Sequence, residues 1–283
     1  MERIDDSDWP GGVEPVWTLL DAKSIGALGV DPLAEDGAVR LAEDLSETEL
    51  AGSAFVRNAL VLLGEAGGRD TLWMGTTGNL MMKDVTRLRA LMSWPGLEAT
   101  ERLRAGKTYR EQAIGELHLL RRVVENAGLL GASALWIELT SAGRAMLEPG
   151  ARGAFQALLF REAFWHMDLS KHVSGRPRGL PGWWPQGDVG VVLWSLSQVG
   201  DEWRNARTLT TLCAVPDEDV APAGWPAATT MFARHMLDPL RWFGLVECDL
   251  AELPHELLWR KTALFDRFLS FDVRLVDRGA AAH

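Results

Sequence analysis

Residues 83–122 hold nine basic and five acidic side chains. Eight of the cations, Arg87, Arg89, Arg102, Arg104, Lys107, Arg110, Arg121 and Arg122, are of the types that neutralise phosphate, Arg through a planar fork and Lys as a point charge. Convergence of these side chains on one face would make a DNA interface. Dispersal among acidic partners, with an apolar patch exposed elsewhere, would instead mark a protein-interaction scaffold that binds no nucleic acid. DNA and a protein are therefore the two partners this pattern allows, and the excess of charge is modest for a dedicated DNA binder.

Other chemistry is sparse. Glu162 and His166 stand one helical turn apart and could share a metal, with Asp168 and His172 close in sequence. An enzyme with a site near His166 is the third reading, but a surface helix end with scattered polar residues accounts for the same string. His235, between Arg234 and Arg241, could contact phosphate. Asp5, Asp6 and Asp8 lack the Gly and terminal Glu of a calcium loop. No GxSxG elbow, Gly-rich phosphate loop or HExxH pair is present. The expectation is no metal, no cofactor and no catalytic residue.

Composition narrows the class. Residues 1–50 carry 13 acidic and 3 basic residues, the whole of the net charge of −10, and the remaining 233 are neutral in sum. Long-range repulsion of nucleic acid would come from that one segment. An apolar fraction of 47% is ordinary for a globular chain. No run reaches the roughly 18 apolar residues of a membrane span, so no membrane partner is expected. The start, MERIDDSDW, is acidic where a secretory signal would be basic and then apolar. Cys213 and Cys248 are too few for a disulfide framework and read as buried thiols in a reducing cytoplasm.

The elements that must position these residues are legible from periodicity. In residues 112–147, Ala113, Leu117, Leu120, Val124 and Ala127 recur at helical spacing over about 15 residues. Gly128 then suits a left-handed helix end. Leu135, Ile137 and Leu139 alternate with Trp136, Glu138 and Thr140 as a half-buried strand, and Thr140 or Ser141 can cap the next helix. Helix, Gly, hairpin, Thr, helix is the layout of a winged helix. It recurs around Phe55 to Gly78 and around Phe232 to Thr262, each with a Leu-Trp pair before a Thr, so three diverged copies are expected, with Trp73, Trp136 and Trp259 equivalent.

Further along, a helix is expected at 38–45, with Ser46 and Glu49 forming a capping box after it. Helices are also expected at 83–94, 151–169, 189–199, 206–214 and 227–243, the last kinked or restarted at Asp238-Pro239. Residues 173–187, with three Pro and four Gly, read as the linker. Trp183-Trp184 there is either a partner anchor or a loop pinned to a neighbouring core. The expected organisation is an acidic segment at 1–50, a winged-helix-like domain of two modules at 51–172, the linker at 173–187 and a winged-helix-like domain at 188–283.

Thr77-Gly78-Asn79-Leu80 followed by Lys83-Asp84-Val85, and Ala127-Gly128-Leu129-Leu130 with Thr140, Gly143 and Arg144, resemble strings in uncharacterised bacterial plasmid open-reading-frame and insertion-sequence passenger proteins. The resemblance covers about residues 55–150. It implies a bacterial mobile-element context and supplies no catalytic residues; the separate domain of many relatives, with its Pro-Pro-Ile-Trp-like strand, is missing. The fold expected is mainly α with small β-hairpins, in two or three winged-helix-like modules. The function expected is non-enzymatic, DNA-binding or regulatory, with the scaffold as the alternative.

Overall fold

The computed structural model describes residues 13–68, 71–133, 135–172, 184–216, 224–249 and 257–276. The chain folds as two units, each taking its name below from a hairpin tryptophan. The Trp136 unit comprises Ala42–Gly175 and Pro239–Leu245; the Trp259 unit comprises Met1–Leu41, Arg176–Asp238 and Val246–His283. The acidic first 50 residues are thus shared between the two.

The Trp259 unit opens with α1 (Ala22–Gly29), capped by the Asp21 carboxylate accepting from the Ser24 N–H, and β1 (Val39–Leu41). The helix expected at 38–45 is therefore a strand. Its pairing partner lies some 230 residues away, where no local pattern can announce it. Ser46 and Glu49 do exchange the capping-box hydrogen bonds, but the box opens only a single 3₁₀ turn, Glu49–Gly52.

In the Trp136 unit Ser53 caps α2 (Ala54–Ala66), and β2 (Leu72–Trp73), α3 (Met82–Leu91), α4 (Glu98–Arg104) and α5 (Gly115–Asn126) follow. The hairpin β3 (Leu130–Ala132) and β4 (Trp136–Leu139) leads into α6 (Ser141–Ala145) and α7 (Arg152–Arg161). Gly128 ends α5 at φ +72°, and the Thr140 hydroxyl accepts from the Gly143 N–H at 3.0 Å to start α6. β2 pairs with β4, which pairs with β3, all antiparallel.

This pairing corrects the expected repeat. Leu72-Trp73 is the first strand of the sheet that Trp136 completes, so residues 55–80 are part of one module rather than a separate copy. The same strand order recurs in the Trp259 unit: α8 (Val189–Val199), β5 (Arg204–Asn205), α9 (Ala206–Cys213), α10 (Trp225–Phe232), then β6 (Val246–Asp249) and β7 (Leu258–Lys261), with strand order β5-β7-β6. Gly244 repeats the role of Gly128 at φ +78°. In both units a helix, an isolated strand and further helices precede a hairpin, and the isolated strand is bonded to the hairpin's second strand.

The tryptophans are not equivalent. Trp73 and Trp136 face each other across β2 and β4, whereas Trp259 pairs with Arg204 and Cys248 and matches Ile137 in register. A slip of one residue moves a side chain to the opposite face of a sheet. Trp259 accordingly is 2% exposed and Trp73 40%.

Pro239 does not restart its helix. A wide turn over Ala233–Leu237 leads directly into α11 (Asp238–Trp242), with Asp238 itself helical. Such π turns re-route the hydrogen-bond ladder where a donor is missing. The chain closes with α12 (Ala263–Phe268) and β8 (Leu269–Phe271), the strand that pairs with β1.

The core of the Trp136 unit joins Phe55 of α2, Leu117, Leu120 and Val124 of α5, Phe155 and Phe160 of α7, and Phe243, whose ring stacks on Phe55 at 4.3 Å. Trp184 is buried too, in the Trp259 unit, and its Nε1 donates to the Val215 carbonyl at 2.9 Å. That is the pinned-loop arrangement; Trp183 and the rest of 173–183 lie outside the described residues, as do Asp5, Asp6 and Asp8. Cys213 is buried as expected and Cys248 half-buried. Burial pushes the Cys213 thiol far up, so it stays protonated.

Candidate nucleic-acid interface

Five of the eight expected phosphate-contacting cations are engaged with carboxylates of their own unit. Arg87 meets Glu65 at 3.2 Å and Asp84 at 3.5 Å. Arg89 meets Glu101 at 2.8 Å and lies over the Tyr109 ring. Arg104 bonds both Glu101 and Glu116, and Arg122 meets Glu125 at 2.8 Å. Arg102, Lys107 and Arg110 are exposed, with no ion pair among the described residues.

Arg121 is the largest departure from the expected geometry. Periodicity placed it on the open face of α5, yet it is 1% exposed. Its Nε donates to Glu111 at 2.7 Å, its Nη1 reaches Glu125, and its Nη2 donates to the Gly78 carbonyl at 3.2 Å. The reason is that Gly78 and Glu111 close over its guanidinium. α5 itself packs against α2, against β3 and also against the turn Glu162–His166. Leu119 and Val123 are buried along with Leu117, Leu120 and Val124. A helix with apolar residues on two faces must be covered on both. The third helix of the other unit is similar, with Met231, Phe232, His235, Met236 and Leu237 all buried.

Glu111, which no spacing argument singled out, is the centre of the network. It is wholly buried and accepts from Arg121 Nε, from the Leu80 N–H at 2.6 Å, and contacts His118 Nδ1 at 2.7 Å. Burial pushes its carboxyl up, but His118, Arg121 and the Leu80 N–H outweigh that and hold it below the usual range. The Thr-Gly-Asn-Leu string is thereby tied to α5 at Gly78 and to the turn before α5 at Leu80.

The cluster near His166 does not assemble. Glu162 and His166 pair with each other at 2.9 Å, while Asp168 caps the turn Leu169–Lys171 through Ser170. His172 instead packs against His118, with ring centroids 5.4 Å apart. Among the described residues no three His, Cys, Asp or Glu side chains are placed to hold a metal, and no helix is long and apolar enough to cross a membrane.

Burial, together with His118 and Arg122, pushes His172 down from 6.5 to about 4. The unfolded chain therefore takes up this proton first, and stability should fall as pH drops from 6.5 toward 4. Urea unfolding of His172→Gln is expected to show a smaller loss over that window than the wild type. Equal losses would mean that His172 is solvated.

On the opposite, outer face of the β2–β4 pair, Trp73 and Trp136 meet edge to face at 6.1 Å. Trp73 is 40% exposed, and Leu135 and Met81, close along the backbone, are also exposed. The alternation expected to bury Leu135 begins one residue later, at Trp136.

No curated protein and no solved structure matches the chain. Residues 51–153, which run from just before α2 to the start of α7, match the family model of the Y4jL N-terminal domain, a family of uncharacterised plasmid-type open-reading-frame proteins.

Proposed function

We propose that both units are winged-helix modules and that the protein is a non-enzymatic protein-interaction scaffold. An isolated strand after the first helix that pairs with the second strand of a later hairpin is the winged-helix order. In DNA-binding helix-turn-helix relatives, the recognition helix lies in the major groove and reads base edges. The observation that carries the scaffold reading is α5. It is covered on two sides, and its cations Arg121 and Arg122 are held by Glu111 and Glu125. The exposed Trp73, with the half-buried Trp136 against it, supports it, since apolar area of this kind outside a core is where partners dock. The family match adds a plasmid-type context.

Labelled duplex DNA titrated with the protein at about 50 mM salt should show no saturable binding. A saturable curve whose affinity falls steeply with salt would replace the scaffold with a second reading. In that reading the exposed Arg102, Lys107 and Arg110 grip phosphates without reading sequence.

A further inference from the structure

Between α3 and α4 lies a cavity of about 380 Å³ that the scaffold reading does not use. Arg89, Arg104 and Lys107 line it against one carboxylate, Glu101, with Thr86 and Thr108 on its walls. The two guanidiniums are fixed. Arg89 is held by Glu101 at 2.8 Å, by the Lys107 carbonyl at 3.5 Å and by the Tyr109 ring, so that its side chain is only 10% exposed. Arg104 is held by Glu101 and Glu116. Lys107 follows Gly106, whose φ of +71° turns the chain back over the cleft.

Donor capacity is left over. A guanidinium carries five N–H groups. Glu101, Glu116 and the Lys107 carbonyl take only some of those of Arg89 and Arg104. The Lys107 ammonium is exposed and outside any ion pair among the described residues. Glu101 is held ionised: burial raises its pKa, and Arg104 and Arg89 more than reverse that. The lining therefore carries three cations against one carboxylate, with Glu116 bonded to Arg104 behind it.

We propose that this cleft binds a phosphate monoester, or inorganic phosphate itself, as a dianion. A monoester carries a charge of about −1.5 to −2 at neutral pH, and the cleft sets three cations around it. The diester of a nucleic-acid backbone carries one charge per phosphate, and its smooth duplex surface does not enter a concave pocket. Lys107 and the Thr108 hydroxyl would close on the phosphate oxygens, with Arg89 and Arg104 forming a preorganised floor. The site stands independently of the scaffold reading, because it draws on none of the residues at the Trp73–Trp136 face.

The test is calorimetric titration of the full chain with inorganic phosphate, at low ionic strength and a pH above the second phosphate pKa. One saturable site is expected. Lys107→Glu should weaken it about tenfold or more, as loss of a charge-assisted hydrogen bond implies, with unchanged circular dichroism and thermal midpoint. Lys107→Arg should restore it. No saturable heat up to about 10 mM phosphate, or wild-type affinity in Lys107→Glu, would overturn the proposal. Displacement of bound phosphate by duplex DNA at an equal concentration of phosphate groups would overturn the assignment to a monoester.

Discussion

Glu111→Ala is expected to lower the unfolding free energy by about 3–5 kcal/mol, the usual cost of breaking a buried ion pair from one side. Three donors lose their acceptor at once: Arg121 Nε at 2.7 Å, His118 Nδ1 at 2.7 Å and the Leu80 N–H at 2.6 Å. Glu125 still meets Arg121, which sets a floor under the damage. The wild type should also be acid-sensitive in a defined sense. The folded pKa of Glu111 lies below its ordinary 4.5, so the stability it contributes is present above that value and is lost as pH falls through the folded one. Urea midpoints measured from pH 6 down to pH 3 should converge for wild type and Glu111→Ala at the acid end. Equal midpoints at pH 6 would show that the network adds nothing to stability.

Leu120→Ala is the second large effect, about 2–5 kcal/mol. Leu120 is fully buried on the helix that packs against α2, α7 shares its core, and a side chain covered on every side leaves a cavity that its neighbours cannot fill. The readout is a lower urea midpoint at unchanged slope. An unchanged midpoint would place Leu120 at a site that collapses without loss.

What the sequence made legible was local. Gly128 and the Thr140 cap follow from backbone conformation and one hydroxyl, and both are where spacing puts them. The helices at 189–199 and 206–213 likewise follow from a single apolar period. What stayed hidden depended on distant partners. β1 is a strand because of β8, and Arg121 is buried because Gly78, 43 residues earlier in the chain, and Glu111 close over its guanidinium. Glu111 had no signal at all. A carboxylate outside any motif becomes a centre only when Leu80, His118 and Arg121 are folded around it. The Leu-Trp pairs misled for a different reason. Two of them sit at hairpin positions one residue apart in register, and a period of two turns that offset into opposite faces.

The return of Pro239–Leu245 to the Trp136 unit has a consequence for how this protein is made. Phe243 stacks on Phe55, and its carbonyl accepts from the buried Gln156 amide at 3.1 Å. A ribosome that has released residues up to 172 has therefore delivered α2 to α7 of that module but neither α11 nor the ring that seals it. The Trp259 unit waits longer still, since β1 emerges first and its strand partner, β8, among the last. Domains that are contiguous in sequence can fold one after another as they emerge. Here both must be finished nearly together, and a nascent chain stalled before residue 239 would hold an open pocket where Phe243 belongs, the kind of surface that chaperones bind.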